Sequence, residues 1–222
     1  VTILVVIIAM NDNKNVFSAL SLIKEKPIDI IYTVPTFMSK LIEANNIFNI
    51  ELKKISYVFC GGEVFKKKLF KEVKKNFLKS RVFNMYGPTE CTMNCLSIEL
   101  TNFHKLKDMK VIPTGKPFKH LKYRLIKDNK TNKKEGELLV GGKQLMEGYL
   151  NHKEDVFKSI KGIKYYPTGD YFKKINNIYY FQGRINEIKK ISGFRLNLNY
   201  IEEMIEKING VQSCKIIIKK DD

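Results

Sequence analysis

Residues 84–90 read Asn-Met-Tyr-Gly-Pro-Thr-Glu, directly after a short segment at residues 81–83 that is typical of the end of a strand. The Gly-Pro pair forces a turn behind that strand. In open α/β sheets, ligands bind at the carboxyl ends of the strands. We therefore expect Tyr86, Thr89 and Glu90 to lie together at such an end, where an aromatic ring, a hydroxyl and a carboxylate could contact one ligand.

These three side chains offer the contacts that a nucleotide needs. A flat ring can stack on a base, and a hydroxyl can contact a phosphate. A carboxylate can hold Mg²⁺, which prefers oxygen ligands that it shares with nucleotide phosphates. The same residues also occur in ordinary turns, so this stretch alone leaves both interpretations open.

Three further motifs follow it in the chain. Residues 136–142 read Gly-Glu-Leu-Leu-Val-Gly-Gly and lead into Gly-Tyr-Leu, residues 166–170 read Tyr-Pro-Thr-Gly-Asp, and residues 183–195 begin Gly-Arg-Ile-Asn and end Gly-Phe-Arg. The order and spacing of the four motifs resemble the acyl-adenylate-forming superfamily over roughly residues 30–215. The first motif is most similar to the amino-acid-activating branch, which includes D-alanine–carrier-protein ligases and peptide-synthetase adenylation domains.

The fold class that we expect is α/β plus β. Over the first ninety residues, strands alternate with helices, which predicts parallel strands joined by right-handed crossovers. The resemblance implies that residues 1–90 are the end of a large α/β subdomain and that residues 91–184 are a small antiparallel β-barrel subdomain. It also implies that residues 185–222 begin a mobile α+β C-terminal domain.

Hydrophobic periodicity and turn residues predict the individual elements. Helical spacing of apolar residues predicts helices at 15–26, 36–45, 65–78 and 199–208. Apolar runs predict strands at 1–9, 28–34, 55–60, 81–85, 123–126, 137–140, 188–191 and 213–218, of which 1–9 and 28–34 are expected to be buried. The pair Asn176 and Asn177 predicts a hairpin turn.

The resemblance also implies a set of nucleotide-binding residues. They are Gly61, Gly62, Glu63, Asn84, Met85, Tyr86, Gly87, Asp170 and Arg184. An adenine would lie between the glycine turn and Tyr86, because glycine lets the backbone approach a ring closely. Asp170 would accept hydrogen bonds from the ribose hydroxyls, and Arg184 would reach the ribose or a phosphate. Glu63 as a residue near a helix N-terminus, Asn84 as a capping or turn residue and Asp170 as an ordinary turn residue stay open as alternatives.

The resemblance assigns further roles in catalysis. Thr89, Glu90 and Lys190 would be the catalytic residues, and Glu90 would hold Mg²⁺ beside ATP. Asn186 lies where this superfamily has the hinge of its mobile domain. Asparagine tolerates unusual backbone angles, so a hinge there is compatible with the residue.

Composition argues against several other classes of protein. The net charge is +17, but only four of the forty basic residues are arginine, the residue favoured for bidentate phosphate and guanine contacts. We therefore interpret the charge as a lysine bias of the whole chain and expect no nucleic-acid partner. Four cysteines do not suggest a disulfide framework, and no apolar run is long enough to span a membrane. A cytoplasmic location is expected.

The function that we expect is ATP-dependent activation of an amino acid or another small carboxylic acid. The aminoacyl-AMP would pass to the phosphopantetheine thiol of a carrier protein. Alternatives are an acyl- or aryl-CoA ligase with CoA as acceptor, a non-catalytic nucleotide-binding relic, and a basic nucleic-acid-binding module. Residues 1–222 contain neither the phosphate loop ending in Pro-Lys-Gly nor the C-terminal Gly-Lys segment of the superfamily, so we expect this chain alone to be inactive.

Overall fold

The computed structural model describes residues 15–50, 52–101, 112–151, 156–185, 188–191, 194–206, 208–211 and 214–217. The chain divides into two compact units. Unit 1 comprises Val1–Gly87 and Ser97–Gly115, and unit 2 comprises Pro88–Leu96 and Lys116–Asp222. The predicted strand at 1–9 lies outside the described residues.

The described part of unit 1 contains three α-helices: α1 (Val16–Glu25), α2 (Pro35–Phe48) and α3 (Lys67–Asn76). Asn15 caps α1, because its side-chain oxygen accepts hydrogen bonds from the backbone of Phe17 at 3.0 Å and of Ser18 at 3.2 Å. Pro35 occupies the first position of α2, where its missing N–H costs nothing. The sequence predicted all three helices to within a few residues of their observed ends.

The strands of unit 1 are β1 (Ile30–Thr33), β2 (Tyr57–Gly61), β3 (Arg81–Tyr86) and β4 (Leu96–Glu99), which lie in that order in the sheet. β1, β2 and β3 are parallel, with Ile30 opposite Tyr57 and Tyr57 opposite Arg81. The helices between them confirm the predicted alternation of strand and helix. Because parallel strands end at the same edge, the turns after β2 and β3 are neighbours.

The two faces of this sheet differ. On one face, Val58 of β2 and Val82 of β3 are fully buried. On the other face, the rings of Tyr32 of β1, Phe59 of β2 and Phe83 of β3 form a stacked row across the strands. Tyr32 is 46% exposed. The prediction that residues 28–34 form a buried strand was therefore wrong: they contain a strand, but each residue of this range is partly or fully exposed.

Unit 2 contains a curled antiparallel sheet. The two-residue strand β5 (Lys116–Pro117) precedes it in the chain and is not part of this sheet. The strands of the curled sheet are β6 (Lys122–Lys127), β7 (Lys130–Asn132), β8 (Glu135–Gly141), β9 (Lys158–Ile160), β10 (Ile163–Ile175) and β11 (Ile178–Arg184). The order is β11-β10-β8-β6-β7, and β9 pairs with β10. Asn176 and Asn177 form the β10–β11 turn with φ values of 48° and 63°, as predicted for a two-residue hairpin.

The last part of unit 2 consists of β12 (Ile188–Ile191), β13 (Phe194–Asn197) and α4 (Leu198–Ile205). β12 and β13 form an antiparallel pair. The predicted strand at 213–218 was wrong over its described part, because residues 214–217 are irregular.

The chain is thus a mixed α/β protein with separate parallel and antiparallel sheet regions. The three-part division at residues 90 and 184 stays a prediction. All four cysteines are free thiols. Across the described ranges, no helix has the length and apolarity that crossing a bilayer would require.

Candidate functional site

The turn after β2 carries the predicted glycine pair. A side chain at Gly61 would lie 3.0 Å from the Cβ atom and from the carbonyl oxygen of Met85, so only glycine fits without a shift of β3. Gly62 has a φ of 84°, which favours glycine. The backbone at this turn therefore carries no side chain, which is the condition for close approach of a flat ring.

Glu63 follows this turn and caps a helix. Its Oε2 accepts a hydrogen bond from the Thr36 backbone at 2.8 Å and another from the Thr36 hydroxyl. Thr36 lies in the first turn of α2, where backbone N–H groups have no partner within the helix. The carboxylate thus connects the glycine turn to α2, a helix that precedes it in the chain by almost thirty residues.

The end of β3 contributes the first predicted motif. Asn84 is buried, and its Nδ2 donates to the carbonyl oxygen of Pro113 at 2.8 Å. Met85 pairs with Gly61 across the sheet. Tyr86 and Gly87 follow, both partly exposed. In unit 1 the structure therefore gathers the glycine turn and the end of β3 at one edge of the parallel sheet.

In unit 2, Glu90 lies in a cluster with two tyrosines. The Tyr149 hydroxyl donates a hydrogen bond to Glu90 Oε1, and the hydroxyls of Tyr149 and Tyr166 are 3.5 Å apart. Thr89 is exposed and begins the single 3₁₀ turn that carries Glu90. Both tyrosines belong to predicted motifs, but neither of them was predicted as a site residue.

Electrostatics keep the Glu90 carboxylate ionised. Partial burial raises the pKa of Glu90, but hydrogen bonds from Tyr149, from the backbone and from Tyr166, together with the positive charge of Arg184, outweigh it and lower the pKa below its ordinary value. Burial, followed by the hydrogen bonds with Tyr149 and Glu90, raises the pKa of Tyr166. The cluster is therefore an anionic carboxylate next to two protonated phenols at neutral pH.

A bulge in β10 presents Asp170. The pairing of β10 with β8 shifts between Pro167 and Tyr171, and Gly169 adopts a φ of 70° there. The Thr168 hydroxyl donates to the carbonyl oxygen of Leu138 at 2.8 Å and accepts from the Asp170 backbone at 3.1 Å.

The Glu137 carboxylate completes this bulge. Its Oε1 accepts from the Gly169 backbone at 3.2 Å. Residues of two of the predicted motifs, at 136–142 and 166–170, thus fix one local backbone conformation. Neither Thr168 nor Glu137 was predicted to take part in the site.

Asp170 lies directly opposite Arg184 in the β10–β11 pair, and Arg184 Nε lies 3.2 Å from Asp170 Oδ1. The Asp170 side chain is 6% exposed, whereas that of Arg184 is 61% exposed. A buried carboxylate needs such a partner, because an isolated charge is costly to bury. The pair combines an acceptor suited to a ribose diol with a cation suited to a phosphate.

The predicted residues fall into two groups. Unit 1 holds Gly61, Gly62, Glu63, Asn84, Met85, Tyr86 and Gly87, and unit 2 holds Thr89, Glu90, Asp170 and Arg184. Within unit 2, Lys190 lies in β12 opposite Arg195. Asn186 lies outside the described residues.

Mg²⁺ fits this set of residues. Among the described residues, no three His, Cys, Asp or Glu side chains gather into a metal-binding group. Nucleotide-associated Mg²⁺ needs only one or two carboxylates, since phosphates and water complete its coordination. The ionised Glu90 carboxylate meets that need.

Comparison with known proteins gives a family match. The family model described as AMP-binding enzyme matches residues 4–150. The chain is 32% identical over 215 residues to the D-alanine–D-alanyl carrier protein ligase of Bacillus licheniformis, an alignment that covers 94% of this chain and 42% of that protein. The chain spans less than half the length of the curated relatives that it matches.

Solved structures share the fold. O-succinylbenzoate coenzyme A synthetase of Bacillus subtilis, in complex with ATP and magnesium ion, matches with a TM-score of 0.71 at 22% identity, covering 87% of this chain and 39% of that one. An NRPS protein containing adenylation and PCP domains matches with a TM-score of 0.68 at 21% identity, covering 93% of this chain and 43% of that one.

Proposed function

Because the chain belongs to the AMP-binding enzyme family, we propose that it serves ATP-dependent activation of an amino acid. The substrate carboxylate attacks the α-phosphorus of ATP, so that aminoacyl-AMP forms and pyrophosphate leaves. A thiol then attacks the acyl carbon, the thioester forms and AMP leaves. The observation that carries this proposal is the ionised Glu90 carboxylate, held by tyrosine hydroxyls at the turn after a parallel strand.

Each residue of the site has a proposed role toward the nucleotide. The bare backbone at Gly61 and Gly62 and the ring of Tyr86 would contact the adenine. The buried Asp170 carboxylate would accept hydrogen bonds from the ribose hydroxyls, while the exposed guanidinium of Arg184 would contact the ribose or a phosphate.

Glu63 and the remaining residues of the first motif have supporting or catalytic roles. Glu63 would act by positioning the glycine turn through its contact with Thr36, and Asn84 by fixing the end of β3. Met85 and Gly87 would shape the edge on which the base lies. Thr89 would contact a phosphate. Bound Mg²⁺ would offset negative charge on the phosphates during adenylation.

The finer architecture is also part of this proposal. Residues 1–90 would be the end of a large α/β subdomain, residues 91–184 a β-barrel subdomain and residues 185–222 the start of a mobile domain. Asn186 would be its hinge, and Lys190 would face the active site in the thioester-forming orientation. The match to adenylation-domain folds supports this division.

The acceptor that we propose is the phosphopantetheine thiol of a carrier protein. The similarity to a D-alanyl carrier protein ligase and to a protein with adenylation and PCP domains supports it. CoA is the second candidate, since a coenzyme A synthetase shares the fold. Incubation of the activated acid with either acceptor, followed by measurement of the thioester, distinguishes the carrier protein from CoA. Only the true acceptor gives a thioester.

Nucleotide binding by residues 1–222 provides the first test. We expect calorimetric titration to detect binding of ATP and AMP but not of GTP. Asp170→Asn should weaken AMP binding about tenfold or more, because charged hydrogen bonds to the ribose are lost. Asp128→Asn, in the exposed β6–β7 turn of the same unit, is the matched control and should bind as the wild type does. Equal affinity for ATP and GTP, or an unaffected Asp170→Asn variant, would contradict the proposal.

A further inference from the structure

The loop that follows Glu90 has a strained backbone. Residues 91–94 run from the last residue of the 3₁₀ turn of Glu90 toward β4, and Thr92 and Met93 have φ values of 50° and 68°. Positive φ values are uncommon for residues other than glycine and persist where the surroundings impose them. Thr92 and Met93 are both exposed, so packing of their own side chains does not explain the conformation.

The side chain of Gln144 supplies such a constraint. Its Nε2, which carries two hydrogens, lies within hydrogen-bond distance of three backbone carbonyl oxygens of this loop, so that one hydrogen is shared between two of them: that of Cys91 at 2.8 Å, that of Thr92 at 3.0 Å and that of Asn94 at 2.6 Å. Its Oε1 lies 2.9 Å from Nε2 of His120. One amide group thus uses both its donor and its acceptor atoms.

Three other contacts join the same two stretches of chain. The Thr92 hydroxyl donates to the Gln144 carbonyl oxygen at 2.8 Å, and the Met146 backbone donates to the Glu90 carbonyl oxygen at 2.9 Å. The Tyr149 hydroxyl donates to the Glu90 carboxylate. Residues 144–149 therefore contact the loop, the backbone of Glu90 and the side chain of Glu90.

We propose that Gln144 is a positioning residue for Glu90. By holding the carbonyls of Cys91, Thr92 and Asn94, it fixes the strained loop and so directs the Glu90 carboxylate toward a nucleotide-bound Mg²⁺. The metal part of this inference rests on the proposed function, whereas the effect on the loop does not. Gln144 acts through the loop and does not itself contact substrate.

Gln144→Met tests the effect on the loop, because methionine has a similar length but no hydrogen-bond donor. Hydrogen exchange of residues 91–94, measured by mass spectrometry without nucleotide, should become at least tenfold faster. Exchange of β2 and β3 in unit 1 should stay unchanged. Lys143→Met, at the exposed neighbouring position, introduces the same side chain and should leave the loop protected as in the wild type.

Mg²⁺ dependence tests the effect on the carboxylate. In Gln144→Met, the Mg²⁺ concentration for half-maximal ATP binding should rise about tenfold, while AMP binding in the presence of EDTA stays at the wild-type level. A merely structural role would lower the melting temperature or the number of binding-competent molecules without this selective shift. If Gln144→Met unfolds, Thr92→Val, which removes one contact from the loop side, takes its place in both measurements.

The outcomes separate the two proposals. Unchanged exchange in the loop, or faster exchange with an unchanged Mg²⁺ requirement in a protein whose wild type binds ATP with Mg²⁺, overturns the positioning role. A wild type that binds no ATP at any Mg²⁺ concentration contradicts the proposed function and the metal part of this inference. Exchange of residues 91–94 then still decides whether Gln144 fixes the loop.

Discussion

At the scale of single residues, the Glu90–Tyr149 hydrogen bond makes a prediction about pH. The lowered pKa of Glu90 means that its contribution to stability is present above the ordinary glutamate pKa of about 4.3 and is lost as the pH falls through the lowered folded-state pKa. Tyr149→Phe removes one cause of that lowering. The pKa of Glu90 in the variant should therefore rise, and the free energy of unfolding at pH 7 should fall.

The expected loss at pH 7 is about 0.5–1 kcal/mol, because solvent screens this partly exposed pair. Urea unfolding at pH 7 and at successively lower pH checks it: the difference between variant and wild type should shrink as the pH falls through the lowered pKa of Glu90 and the carboxyl becomes protonated in both. Carboxyl NMR titration of Glu90 reports its pKa directly. Tyr180→Phe, in β11, is the control and should leave the Glu90 titration unchanged. A pKa that does not move in Tyr149→Phe would contradict the assignment.

The sequence predicted the residue types of the site better than their contacts. Glu63 was expected near a base or near the N-terminus of a helix, and it caps α2 through Thr36. Tyr149 and Tyr166 belong to motifs that the sequence showed, but their contact with Glu90 joins positions some sixty and seventy-six residues apart in the chain. No local pattern reports a contact of that sequence separation.

At the scale of elements, the bulge in β10 makes a second prediction. Gly169 has a φ of 70°, and a side chain there would meet nothing within 4 Å. Gly169→Ala should therefore cost only the left-handed backbone term, about 1 kcal/mol of unfolding free energy. AMP affinity should also fall severalfold, because Asp170 is the next residue and its orientation depends on this bulge.

Gly162 provides a matched control for that prediction. It has a φ of 72° in the turn between β9 and β10, again with nothing within 4 Å of an added side chain. Gly162→Ala should lose a similar stability in urea unfolding but keep the wild-type affinity for AMP in calorimetric titration. Equal affinity losses in both alanine variants would mean that the bulge has no specific role in presenting Asp170.

The starts of the helices could be predicted from the sequence, whereas the burial of the strand faces could not. Asn15 and Pro35 signal the starts of α1 and α2 through local chemistry, and the structure confirms both helices. The apolar run at residues 28–34 indicated a strand but not its environment. One face of β1 carries the exposed Tyr32, since burial depends on which other elements cover the strand.

At the scale of the whole molecule, we predict that residues 1–222 bind adenine nucleotides but do not catalyse amino-acid-dependent exchange of pyrophosphate into ATP. The 222 residues contain neither the lysine-bearing phosphate loop nor the C-terminal lysine segment that the family resemblance implies for charge stabilisation. Nucleotide titration checks the predicted binding. Pyrophosphate exchange assays with a panel of amino acids, run on the same preparation, check the predicted lack of catalysis. Robust exchange by these residues alone would show that other groups of the chain replace the two lysines.

The sequence by itself determined the family, the alternation of strand and helix before residue 90 and the hairpin at Asn176, because these depend on local residue types and spacing. Only the tertiary structure decided that Glu63 caps α2, that Tyr149 holds the Glu90 carboxylate and that Gln144 holds the loop beyond it. Each of these contacts joins residues distant in the chain. Their geometry follows from how the chain folds, which side-chain type and sequence spacing do not specify.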